Sequence, residues 1–248
     1  MVTNLVPKSE TPLIKKILHL RIACYLYNQI SNNDSGLIEI LKKFKKFEPS
    51  NEAQIKYLLK WLRGWRCRQL KTEDSAISIK SIQDWYNKNK INFPKWNTCL
   101  LDFDLDKNKN DIVKIFNDLS GEIAAKRKLK SKMKVPVKIG SVGAAKTLFI
   151  LRPNLFAPWD NKIRIDFGLP HDGSGYVEYL SKIKDELINI KNILKRSKET
   201  TWKGLFEYLN KDKEYKFYPK LIDEYYWMTI TKKIKPSEIE TKWPYKRE

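Results

Sequence analysis

Apolar residues recur at helical spacing along almost the whole chain. From Thr11, placed as an N-cap before Pro12, to about Ile30 the sequence is apolar on most sides, which predicts a central buried helix. A turn at 32–35 follows, and Ser35 opens a second helix reaching about Phe47. Ser50 opens a third, in which Ile55, Leu58, Leu59 and Leu62 form one face and Lys56, Lys60 and Arg63 another, so an apolar side packs inward and a basic side meets water. The pattern predicts further helices over 77–87 and from Asp111 onward, the latter running into the lysine-rich stretch after Ile123. Ser174 opens a long helix whose Tyr176, Leu180, Ile183, Leu187, Ile190 and Leu194 alternate steps of four and three, a seam for another helix of the same chain. Helices over 201–210 and 219–233 complete the set, and residues 236–248 read as a C-terminal tail.

One segment breaks the period. Over 99–105, Leu101, Phe103 and Leu105 alternate with Asp102 and Asp104, which predicts a short strand. The same carboxylates suggest a calcium loop, but neither register supplies the glycine and the terminal glutamate that such a loop needs, so no metal is assigned there. With no internal repeat and no clear linker, the expectation is a single mainly α-helical domain over 1–235. It is all-α in class apart from the strand, a helical bundle with room for two lobes and a cleft.

Composition narrows the function. A chain of 248 residues with 42% hydrophobic and 12% aromatic content builds its own core and is not disordered. Cys24, Cys67 and Cys99 are odd in number and far apart, which fits neither a disulfide framework nor a clustered zinc or iron-sulfur site. With His19 and His171 the only histidines, a histidine-rich metal centre is equally disfavoured. No metal or cofactor is expected, and any catalysis leans on carboxylate or lysine. The formal net charge of +20 makes nucleic acid the leading partner. No apolar run of about eighteen residues is present, and the start MVTNLVPKSETP has no signal pattern. The expected place is the cytoplasm, at the nucleoid if the chain binds DNA, and not a membrane.

The chemistry concentrates in 126–167. Lys126, Arg127, Lys128, Lys130, Lys132, Lys134 and Lys138 are unopposed by any acid and suit a row of phosphates, although a solvated loop carries such a run equally well. Ile139-Gly140-Ser141-Val142-Gly143 then reads as a compact turn before a helix from Val142 to Arg152 that Pro153 ends. Glycine lets backbone approach a ligand, and the free N–H groups of a helix start hold phosphate oxygens. Beyond the break, Pro158-Trp159-Asp160 opens the next helix, with Asp160 at the capping position. His171 and Asp172 are sequence neighbours that do not face each other, and neither is assigned to catalysis.

This order of lysine-rich entry, glycine turn, helix, proline break and Pro-x-Asp resembles the helix-hairpin-helix DNA glycosylase superfamily, which includes the endonuclease III and adenine glycosylase types. Ile139, Val142 and Gly143 match the hydrophobic, hydrophobic and final-glycine positions of its backbone-binding hairpin, while Gly140 and Ser141 stand where the family has proline and glycine. Asp160, Asn161, Ile163 and Arg164 match its aspartate segment. The resemblance implies double-stranded DNA as partner, residues 140–143 on the backbone, and Asp160 as the carboxylate that assists excision of a flipped, modified or mispaired base. It makes Lys146, one position later than the family's lyase lysine, the candidate for a Schiff base, against the plainer reading of a solvated helix lysine. Trp159 is either a wall of the base pocket or a core residue. Two other classes stand beside this one: a non-catalytic helix-hairpin-helix DNA-binding protein in which Asp160 is only a cap, and a helical protein-interaction protein whose charge meets an acidic partner.

Overall fold

The computed structural model describes residues 14–31, 35–44, 46–128, 133–197, 201–209 and 217–243. The chain is mainly α-helical, with a single two-stranded sheet among the described residues. The first helix, α1 (Ile17–Ile30), buries Ile17, Leu20, Ile22, Ala23, Cys24 and Tyr27, the broad apolar surface that the sequence predicts. The N-cap expected at Thr11 and Pro12, and residues 32–34 of the following turn, lie outside the described residues. After α2 (Ser35–Lys43), α3 (Glu52–Gly64) starts one residue later than expected: Asn51, not Ser50, caps it, its side chain accepting from the Ala53 N–H at 2.7 Å. Helix α4 (Ser75–Asn89) then leads through an irregular connection to α5 (Lys109–Gly121).

Two expectations fail together in the middle of the chain. Residues 99–105 are not a strand but a series of turns, in which Asp104 Oδ1 accepts from the Lys107 N–H at 2.9 Å and Asn108 donates to the Asp104 carbonyl at 2.7 Å. The Asp and Asn side chains satisfy the backbone locally, which competes with a strand ladder. Nor does α5 continue into the lysines. It stops at Gly121, and β1 (Ile123–Lys128) pairs antiparallel with β2 (Lys134–Lys138). Ala124 and Ala125 are buried, Ser78 Oγ donates to the Ala124 carbonyl at 2.5 Å, and Val135 and Val137 alternate with exposed Lys134, Pro136 and Lys138. That period of two is a strand signature hidden by the density of lysine.

Gly140, with φ of 75°, makes the sharp passage from β2 into α6 (Gly140–Leu151), a conformation glycine adopts without penalty. Every residue of α6 from Gly143 to Leu151 is buried, so α6 runs through the core. The short α7 (Asn161–Asp166) and the long α8 (Gly173–Arg196) follow. Asp172 rather than Ser174 caps α8, accepting from the Ser174 and Gly175 N–H groups, and the predicted seam from Tyr176 to Leu194 is buried against neighbouring helices. After α9 (Leu205–Tyr208), α10 (Tyr218–Tyr226) runs into one π-helical turn over Trp227–Thr231.

The segment expected as a tail is structured as far as Trp243. There α11 (Pro236–Ile239) and the turn after it pack on α1: Glu240 bonds Lys16 at 2.7 Å and His19 at 3.0 Å, and Trp243 meets Tyr25 edge-on. Residues 244–248 lie outside the described residues. Buried apolar side chains from Ile14 to Met228 form one continuous core. Among the described residues no helix is long and apolar enough to cross a membrane.

Backbone approaches closely where α8 begins. A Cβ on Gly175 would overlap the Pro170 carbonyl oxygen, and one on Gly173 would stand 2.6 Å from that of Val113. Gly175→Ala is expected to cost about 2–3 kcal/mol, read as a lower urea midpoint at unchanged slope. Gly121→Ala, with nothing within 4 Å of the new methyl, should stay within about 0.5 kcal/mol of the parent. Equal midpoints for the two variants would contradict this packing.

Candidate functional site

Three fastenings position the loop that carries Asp160. Tyr176 and Tyr179 of α8 donate their hydroxyls to the carbonyls of Ala157 at 2.8 Å and Pro158 at 3.2 Å. Burial pushes both phenols well above their ordinary range, so they remain neutral donors. Trp159 Nε1 donates to the Ser141 carbonyl at 3.3 Å, and its ring lies edge-on to Phe116 and Tyr176. At 1% exposure Trp159 is packed in the core and ties the loop to the first turn of α6, and it also lines the same cavity as Asp160.

Asp160 divides its carboxylate. Oδ1 accepts from the Lys162 and Ile163 N–H groups at 2.9 and 3.0 Å, the capping bonds of α7. Oδ2 accepts from Thr231 Oγ1 at 3.3 Å, at the end of the π-helical turn. Asp160 lines a cavity of about 680 Å³ formed by the end of α1, the chain just after α3, α6, the 158–162 loop and the junction of α10 with the π-helical turn.

Lys146 lines the same cavity. It is 7% exposed rather than a solvated helix lysine, its Nζ donating to the Trp65 carbonyl at 2.8 Å and lying 5.0 Å from the Trp65 ring centre. The apolar surface of α6 extends around the whole helix, so no side of it is left for water. Burial raises the nearby Cys67 thiol, with Lys146 pulling the other way, which leaves a weak nucleophile.

A second carboxyl lines the cavity from α10. Asp223 is 6% exposed, and its Oδ2 accepts from Lys220 Nζ at 3.0 Å. Lys220, itself fully buried, also donates to the Tyr27 hydroxyl at 3.1 Å and lies 3.7 Å from Glu224 Oε1. Burial pushes the Asp223 carboxyl up to about 7, against the pull of Lys220, with the charges of Asp160 and Glu224 adding to the rise.

Sequence reasoning missed this half of the site, together with Trp65, Trp227, Thr231 and the rim cations Arg66 and Lys232. A signal was present: Lys220, Asp223 and Glu224 at spacings of three and four interrupt a helix otherwise rich in Leu, Ile and Tyr. Backbone strain clusters here too. Arg66 and Lys233, at φ of 61° and 58°, are the only non-glycine residues with positive φ among those described, one lining the cavity and the other next to Lys232 of its rim.

The basic segment is a β-hairpin whose second strand leads into α6. Lys126, Arg127, Lys128, Lys134 and Lys138 are exposed on its strands, while Lys130 and Lys132 lie outside the described residues. Gly140, Ser141, Val142 and Gly143 form the first turn of α6, where Val142 lines the cavity and Gly143 is buried against Ile139 and Gln69. The turn thus joins a strand to a helix, and the helix that precedes it in a helix-hairpin-helix is replaced immediately upstream by β2. Asp172 serves as the cap of α8. Among the described residues no group of three or more His, Cys, Asp or Glu is placed to hold a metal ion.

Comparison with protein-family models, with curated proteins and with solved structures finds no match to this chain.

The raised Asp223 carboxyl makes stability depend on pH. Its folded value of about 7 lies above the ordinary 3.8, so the folded state holds the proton more tightly. The associated stability is full below the ordinary value and is lost as pH rises through the folded one. Relative to Asp223→Asn, the parent protein should lose stability between pH about 4 and about 7, by at most about 1.4 kcal/mol per pH unit, and then level off. Parallel stability curves across that window, from denaturant melts, would contradict the assignment.

Proposed function

We propose that the chain binds double-stranded DNA, draws a nucleotide into the cavity beside Asp160 and hydrolyses the N-glycosidic bond of a modified or mispaired base. One observation carries the reading. Asp160 spends one oxygen on its helix and bonds the other to Thr231, and both residues line a cavity of about 680 Å³, within the range of about 300–1,000 Å³ typical of small-molecule sites.

The surrounding chemistry suits an everted nucleotide. Cations of the hairpin and of the rim, Arg66, Lys162 and Lys232, meet phosphates and offset the cost of unpairing. Trp227 is partly exposed in the wall, with Tyr27 edge-on at 5.3 Å and the Lys232 ammonium 4.9 Å from its ring centre, so a base stacks on it once that lysine turns from the ring to a phosphate. As the bond between base and sugar lengthens, its electron pair leaves with the base, which takes up a proton from solvent. Positive charge grows on the sugar, a carboxylate already fixed in place stabilises it without reorganisation, and water adds to the anomeric carbon and gives up a proton. Lys146 shares the cavity, but its attack on the sugar requires release from the Trp65 carbonyl. Hydrolysis therefore rests on Asp160, with lyase chemistry as a secondary capacity to be read by borohydride trapping on an abasic duplex.

A non-catalytic DNA-binding role is the second reading, favoured by the two capping bonds that give Asp160 a structural purpose of its own. Asp160→Asn keeps a side-chain acceptor for the cap and separates the two. Duplex binding should stay within about twofold while single-turnover base release falls by about a hundredfold or more. Alanine at Lys126, Arg127, Lys128 and Lys134 should weaken binding and lower the salt slope by about one for each phosphate that is no longer neutralised. Salt-dependent binding by the parent protein with no base release from any of a broad panel of lesion-bearing duplexes would leave only the binding module.

A further inference from the structure

Asp223 lies outside the segment that carries the glycosylase resemblance, caps no helix and makes no surface ion pair, yet it lines the cavity that Asp160 lines. Neutralising Lys220 is a weak reason for it to be there, because Glu224 already stands 3.7 Å from the same ammonium, and buried ion pairs are commonly replaced by apolar residues without loss of stability. Its geometry is that of a held reader. Lys220 Nζ fixes Oδ2 at 3.0 Å from one turn away, and no other donor to this carboxyl is found among the described residues. Oδ1 carries no such anchor, and the residue lines the cavity.

We infer that Asp223 reads the edge of the everted base: anchored through Oδ2 by Lys220, it presents Oδ1 as a hydroxyl donor to a ring nitrogen or carbonyl oxygen of a purine or pyrimidine stacked on Trp227. This rests on the cavity being the nucleotide pocket proposed above.

The charges around the group favour its protonated form. Lys220 and Glu224 face it from its own helix, Tyr27 from α1, Asp160 from the start of α7, and Tyr176 and Tyr179 from α8. Arg66, Lys146 and Lys232 share the cavity with it. Burial and two neighbouring carboxylates oppose a further negative charge, and the ammonium of Lys220 pulls the other way without overcoming them. A protonated carboxyl donates to base acceptors, whereas the ionised form repels them, so one proton sets which bases are accepted. Asn at this position reproduces the donor permanently. Lys220 can only donate, and it therefore selects the amide orientation with oxygen toward itself and nitrogen toward the cavity.

The probe is a duplex carrying 2-aminopurine opposite a tetrahydrofuran abasic analogue, whose fluorescence rises when the base leaves the stack. The control duplex carries tetrahydrofuran in place of the 2-aminopurine nucleotide. The ratio of their affinities for the full chain isolates the base from phosphate contacts. The expected preference for the 2-aminopurine duplex is about tenfold at pH 6, falling to about twofold or less at pH 8.5. Asp223→Asn should hold about tenfold at both pH values, and Asp223→Ala should show no preference at either. A fluorescence rise with a pH-independent preference in the parent protein, or a preference retained by Asp223→Ala, overturns the assignment and leaves the pocket intact. Binding of both duplexes with no fluorescence rise overturns the pocket reading and this inference with it. Asp223→Asn, nearly isosteric, keeps the test decisive if the alanine variant does not fold.

Discussion

The division of the Asp160 carboxylate between a helix end and a cavity is the constraint on which the site depends. One oxygen satisfies two amides that α7 leaves without partners, and the other reaches Thr231 across the cavity edge. The cap fixes the side chain, and the loop behind it is fixed in turn by Tyr176, Tyr179 and Trp159. These bonds order the carboxylate during folding, as the proposed chemistry requires. A group with two obligations is also costly to vary, since loss of the cap alone is worth about 1 kcal/mol.

Charge is partitioned by depth. Many of the ion pairs, such as Lys56–Glu52 and Lys80–Asp84, are exposed at both ends and contribute little to stability. The large positive excess therefore remains on the surface as a field, to which the exposed Lys126, Arg127, Lys128, Lys134 and Lys138 of the hairpin contribute. Inside, Lys220 with Asp223 and Glu224 forms a buried network in which losing one partner strands another. The π-helical turn follows directly, and turns of this kind are common where a helix is adapted to a site. The network, the turn and the strained Arg66 and Lys233 converge on one cavity, which marks it as the place where local regularity gives way to something other than folding.

Much of this was legible in the sequence. Helices with strong apolar periodicity, the seam of α8 above all, stand where their spacing puts them, and Pro153 ends α6. Two errors share a cause: short segments in which charged residues mask or mimic a period. The strand register of Val135 and Val137 is hidden among lysines, and the alternation of Leu101 with Asp102 and Asp104 imitates a strand while the Asp and Asn side chains build turns. Asp160, Lys146 and the glycine turn were visible because they are close together in sequence. Asp223, Trp65 and Thr231 were not, because only the tertiary fold brings α10 and the residues after α3 to the same cavity. Lys146 shows the limit from the other direction, as a lysine on an otherwise apolar helix whose burial is set by what surrounds it.

The most direct test is a crystal structure of the full chain bound to a duplex with one tetrahydrofuran site. The predicted result has that sugar inside the cavity in contact with Asp160 Oδ2, phosphates flanking it on the β-hairpin and at the first turn of α6, and Trp227 free to receive a base. A duplex lying on another face, with the cavity empty and Asp160 still bonded only to its helix and Thr231, would contradict it.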